Sequence, residues 1–149
     1  MTAETSFPRT SQPGVVFLKQ LFFGLILFSM TTFSLLAQGT LTNGWTHTGS
    51  ISPVGDSDVW TFAATIGDRI VIRVGEITQT GSFSPRLRLQ NPSAVLIASS
   101  SSTLATEVSV TATNTGTFTL TVDDAGAAAT ATYRLTLAKS FLIAYRNEC

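Results

Sequence analysis

Gly55-Asp56-Ser57-Asp58-Val59-Trp60-Thr61-Phe62-Ala63-Ala64-Thr65-Ile66-Gly67-Asp68 reads as an acidic turn, a strand and a second turn. Side chains alternate between the two faces of a strand. Asp56, Asp58, Trp60, Phe62 and Ala64 therefore share one side, while Ser57, Val59, Thr61 and Ala63 take the other. Arg69-Ile70-Val71-Ile72-Arg73-Val74 follows directly as a second, β-branched strand. A short Gly-containing connection between two such runs predicts a hairpin.

The same alternation continues outward. On the upstream side, Asn43-Gly44 signals a turn, and Trp45-Thr46-His47-Thr48-Gly49-Ser50-Ile51 is a strand candidate ended by Pro53. Downstream, residues 76–84 read as a loop, and Leu87 and Leu89 point away from Arg86, Arg88 and Gln90. Asn91-Pro92-Ser93 turns the chain. Val95-Leu96-Ile97 is a continuous apolar run, the pattern of a strand buried on both faces. Val108 and Val110 form the next inward row. Phe118, Leu120 and Val122 alternate with Thr117, Thr119 and Thr121, and Tyr133, Leu135 and Leu137 close the series. About eight short strands bounded by turn residues predict an all-β fold, a β-sandwich or jelly roll of antiparallel strands. Residues 139–149 form a tail in which Phe141-Leu142-Ile143-Ala144-Tyr145 suits either an extra edge strand or a short helix.

A chain of 149 residues allows one ordinary domain. Nine Lys and Arg balance nine Asp and Glu, so no basic excess points to nucleic acid. Polar strand faces built from Thr fit an exported all-β protein. The single cysteine, Cys149, is the last residue and forms no internal disulfide.

Residues 1–38 carry the pattern of a signal peptide. Lys19 precedes the apolar run Leu21-Phe22-Phe23-Gly24-Leu25-Ile26-Leu27-Phe28, and small Ala37 marks the expected cleavage position. The alternative is an uncleaved anchor. At about 1.5 Å per residue, residues 21–37 just reach across a ~30 Å apolar bilayer core. Either reading places the rest of the chain outside the cytoplasm, secreted or at the cell surface.

Several of these segments together resemble a known family. Gly55-Asp56-Ser57-Asp58, the Trp60-Thr61-Phe62 strand, Thr65-Ile66-Gly67-Asp68, the Leu87-Arg88-Leu89 segment with its turn, Gly116-Thr117-Phe118 and Tyr133-Arg134-Leu135-Thr136-Leu137 resemble, in order and spacing, the bacterial pre-peptidase C-terminal domain. The resemblance spans residues 39–138. It implies a β-sandwich module of exported proteins that holds a partner or polymer substrate, or assists export and maturation of a secreted peptidase. Related collagen-binding modules hold calcium with acidic residues of this region and of the preceding linker. In this chain the linker, residues 39–51, has no Asp or Glu.

Asp56 and Asp58 are the leading site candidates. At positions i and i+2 of a strand their side chains start about 6.5 Å apart on one face. They begin a calcium site, which takes about six to eight oxygens, or else they accept turn amides as caps. Two acids on one turn do not flank a scissile bond as glycosidase carboxyls must. Asp123-Asp124 reads as a solvated strand end, with a second cation site as the alternative. Trp45, away from the apolar rows, is a candidate stacking platform for sugar or peptide. Arg86 and Arg88 share an outward face that Arg73 and Arg134 would extend if their strands were neighbours. His47 is the one histidine, and no nucleophile elbow or metal-binding motif accompanies it.

The reading is thus an exported, non-catalytic accessory module, with an extracellular protein, a polysaccharide or a secreted peptidase as partner. No cofactor other than calcium is suggested. A membrane-anchored structural or adhesive surface protein is the alternative, and a small secreted hydrolase is the reading with least support.

Overall fold

The computed structural model describes residues 37–141. Among these, nine strands follow one another: β1 (Ala37–Thr40), β2 (Thr46–Ile51), β3 (Ser57–Ala64), β4 (Asp68–Thr80), β5 (Pro85–Gln90), β6 (Leu96–Ser101), β7 (Ala105–Thr111), β8 (Gly116–Asp124) and β9 (Thr130–Phe141). They form two sheets, ordered β1-β3-β8-β5-β6 and β2-β9-β4-β7. The expected β-sandwich is what the chain builds. Residues 1–36, which hold most of the expected signal peptide, and residues 142–149 lie outside the described residues.

The alternating rows decide which sheet faces close on each other. Trp60, Phe62 and Ala64 of β3, Leu87 and Leu89 of β5, and Phe118, Leu120 and Val122 of β8 line the inner face of the first sheet. Ile70, Ile72 and Val74 of β4, Val108 of β7, and Tyr133, Leu135 and Leu137 of β9 line the second. Packing two such faces removes both from water, at roughly 25 cal/mol per Å² of apolar surface. Phe62 and Phe118 stack with ring centroids 5.6 Å apart.

The expected hairpin is not formed. β3 and β4 belong to different sheets, and residues 65–67 arch from one to the other. Asp68 holds the arch: its Oδ2 accepts the Thr65 amide at 2.9 Å, and its own amide bonds the Thr65 carbonyl. The Gly67 amide bonds the Ala112 carbonyl, and the Ala112 amide bonds the Asp68 carbonyl. The physical reason is burial. Both strands carry an apolar row, and an arch sets those rows against each other across the core, whereas a hairpin would leave them side by side in one sheet. The ladder of β3 goes instead to β8, with Ser57 opposite Asp123 and Ala64 opposite Gly116.

Four further expectations are corrected. β1 pairs with β3 in parallel, because β2 lies between them in sequence but in the other sheet. Residues 76–80 are strand, joined to β9 as far as Thr80–Thr130 through a bulge between Glu76 and Thr78. β9 itself runs past residue 138 to Phe141, which pairs with Asp68. The Val95-Leu96-Ile97 run is not buried on both faces. β6 is an edge strand, and Val95 and Leu96 are 55% and 53% exposed. Length and apolarity alone do not distinguish an edge strand from a central one.

Candidate functional site

Asp58 lies on the inward row of β3, as its spacing from Trp60 and Phe62 requires, and it is buried. A buried carboxylate needs donors. The Tyr133 hydroxyl of β9 donates to Asp58 Oδ2 at 2.5 Å, and Gln38 Nε2 of β1 donates to Oδ1 at 2.5 Å. Trp60 Nε1 in turn donates to the Tyr133 oxygen at 2.9 Å. Burial, reinforced by the bond to Asp58, pushes the Tyr133 hydroxyl far above its ordinary pKa, so it stays a donor.

Gly49 of β2 makes this relay possible. A Cβ there would stand 2.2 Å from the Tyr133 hydroxyl oxygen and 2.8 Å from Asp58 Oδ2. His47, two residues earlier, packs edge-on against Trp60 at 5.5 Å, and its Nε2 accepts the Thr42 amide at 3.0 Å.

Asp56, the other candidate ligand, caps the turn. Its Oδ1 accepts the Ser57 amide at 2.8 Å and its Oδ2 the Ser52 amide at 3.2 Å. All four oxygens of Asp56 and Asp58 therefore already have protein donors. Among the described residues no group of three or more His, Cys, Asp or Glu side chains converges. Two carboxylates already engaged by protein donors supply few of the six to eight oxygens that calcium takes.

The acidic pair expected at a solvated strand end is corrected: Asp123 and Asp124 are both buried. Asp123 points to the outer face of the first sheet and receives two arginines of neighbouring β5. Arg86 binds it through Nε and Nη2, each at 2.8 Å, and Arg88 through Nη2 at 2.7 Å. The fork raises the Arg86 guanidinium pKa above its ordinary value, chiefly through the hydrogen bond to Asp123. Asp124 turns to the loop that follows it. It accepts the amides of Ser84 at 2.9 Å, Gly126 at 3.3 Å, Ala128 at 2.9 Å and Ala129 at 3.1 Å. Burial pushes its carboxyl up, but these amides outweigh burial and hold it below the usual carboxylate range.

The expected binding residues do not form one site. Trp45 is 67% exposed at the turn before β2, an edge strand of the second sheet. Arg86 and Arg88 stand on the outer face of the first sheet. Arg73 and Arg134 sit on the second, so the four arginines do not make one basic face.

Solved structures share this fold. One is the pre-peptidase C-terminal domain of a collagenase from Bacillus anthracis, with a TM-score of 0.54 and 22% identity, covering 68% of this chain and 96% of that one. The chain has the fold of a pre-peptidase C-terminal domain. A periplasmic inhibitor of g-type lysozyme from Aeromonas hydrophila also shares it, with a TM-score of 0.51 and 14% identity, over 68% of this chain and 96% of the inhibitor. No protein-family profile matches the chain, and no curated protein matches it.

Within this pre-peptidase-type sandwich, sequence reasoning missed Gln38, Gly49 and Tyr133 as polar partners. One signal was present: a glycine inside a strand marks a place where another group comes close. Which group comes close depends on the facing sheet.

Proposed function

We propose that the chain is an exported, non-catalytic accessory module that holds an extracellular protein or polysaccharide, or a secreted peptidase, against its surface. The observation that carries this reading is the use made of its reactive groups. His47, Asp56, Asp58, Asp68, Asp123 and Asp124 each have a structural partner, as a cap, a pair or a buried acceptor. Of these, Asp58 alone meets a side-chain hydroxyl, that of Tyr133, which is buried away from any substrate, so none is poised as a general base beside an accessible nucleophile.

The shared fold supports the same reading. One neighbour is a domain of a collagenase and the other is a periplasmic inhibitor of a lysozyme, so each works together with an enzyme. Here the surface offers exposed Trp45 and two sheet faces bearing arginine.

The test expresses the full chain in a bacterium. Mature N-terminal sequencing and fractionation come first, then co-sedimentation with insoluble collagen, cell-wall polysaccharide and acidic glycan, alongside a hydrolase screen. Cleavage near Ala37 with saturable co-sedimentation and no turnover is expected. An uncleaved, membrane-retained chain favours a surface-anchored protein, and turnover of any substrate overturns the reading.

A further inference from the structure

The outer face of the second sheet carries a depression of about 410 Å³, lined by Arg73, Gly75, Glu76, Ile77, Ala105 and Arg134 among others. Its shape follows from Gly75. This glycine lies inside β4, opposite Arg134 of β9 on one side and Ala105 of β7 on the other. A Cβ at Gly75 would meet nothing within 4 Å, so no packing demand accounts for a glycine here. A glycine in a strand interior weakens the strand unless something must approach the backbone closely.

The charges around the depression are arranged for a ligand. Arg73 pairs with Glu107, but both are exposed, at 69% and 41%. Among the described residues Arg134 has no carboxylate within salt-bridge reach. The depression thus asks for an anionic group. Along the same strands, a second hollow of about 210 Å³ is lined largely by hydroxyls, among them Ser50, Thr78, Thr80, Thr130 and Thr132.

We propose that this face binds an acidic glycan, with a carboxylate or sulfate held by Arg73 and Arg134 over Gly75. A peptide fits less well. β4 and β9 are both interior strands whose backbone groups are paired on each side, so a peptide could not add as a strand. Guanidinium forks and hydroxyl rows instead match a polymer of anionic and hydroxyl groups. The proposal rests on the accessory-module reading and names its ligand class.

The test is calorimetric titration of the exported full chain with oligogalacturonate, a heparin-derived oligosaccharide, a neutral glucan and poly-glutamate. Binding of one or both acidic glycans is expected, and their ratio tells uronate from sulfate recognition. Loss of one charge-assisted contact should weaken Arg134→Ala by about tenfold. Gly75→Val should abolish binding without lowering the unfolding midpoint, because it fills the depression without touching the core. Arg69→Ala, on the same face but outside the depression, should bind as the parent does. The proposal is overturned by no glycan binding at concentrations on the order of 1 mM, by tighter binding of poly-glutamate, or by equal losses from Arg69→Ala and Arg134→Ala. Glycan failure with retained, Trp45-dependent binding to collagen would overturn this site and leave the accessory-module reading standing.

Discussion

Two sets of charged groups, one in each sheet, are used in opposite ways. In the first sheet Asp58, Asp123 and Asp124 are all less than 10% exposed, and each is met by two or more donors. In the second sheet Arg73, Glu107 and Arg134 stand in solvent around a glycine. The first set holds strands and loops together. The second contributes little to stability, because exposed ion pairs are screened and lose side-chain entropy. A charged residue in this fold is therefore informative about binding only once its depth and partners are known.

Substitutions can break the contrast, starting with the largest expected effect. Asp124→Ala leaves four amides without their acceptor, that of buried Ala129 among them, and should cost about 2–3 kcal/mol in urea unfolding. Asp123→Ala strands the Arg86 and Arg88 guanidiniums. Since both arginines are partly exposed, a loss of roughly 1–2 kcal/mol is expected. An unchanged midpoint in either variant would remove the structural role assigned to that carboxylate.

Tyr133→Phe keeps the ring but removes the donor to Asp58 and the acceptor for Trp60 Nε1. A loss of about 1–2 kcal/mol is expected, together with a change in Trp60 fluorescence. A variant as stable as the parent would show that the relay adds nothing to the core.

Acid sharpens the same comparison. The Asp124 carboxyl is held below its ordinary value in the folded state, so it favours the folded chain when ionised. Its contribution is present above the ordinary carboxylate value of about 4 and disappears as pH falls through the lower folded value. Urea midpoints of the parent measured from neutral to acid pH should fall across that window. Asp124→Asn should show a shallower fall, and parallel curves would contradict the assignment. At the small end, Glu107→Ala on the second sheet should change stability by less than about 0.5 kcal/mol. A larger loss would mean that the exposed pair with Arg73 is structural after all.

Much of the fold was legible in the chain itself. Alternation at Trp60-Phe62-Ala64, Ile70-Ile72-Val74, Phe118-Leu120-Val122 and Tyr133-Leu135-Leu137 determined the strands and their inward rows. A two-residue side-chain period is a local property of extended backbone. Asp58 was placed on the row of Trp60 by the same rule, and Asp56 was readable as a turn cap. Pairing between strands was decided only by the tertiary structure. β3 and β4 look like a hairpin locally, and the burial of both rows across the core turns their connection into an arch. The fates of Asp123, Arg86 and Arg88 were likewise hidden, because one carboxylate meets two guanidiniums only when β8 lies beside β5. Gly75 and Arg134 are far apart in sequence, and only the register of β4 on β9 makes them neighbours. Period and turn chemistry act over a few residues, whereas partners and depth depend on which distant segments exclude water together.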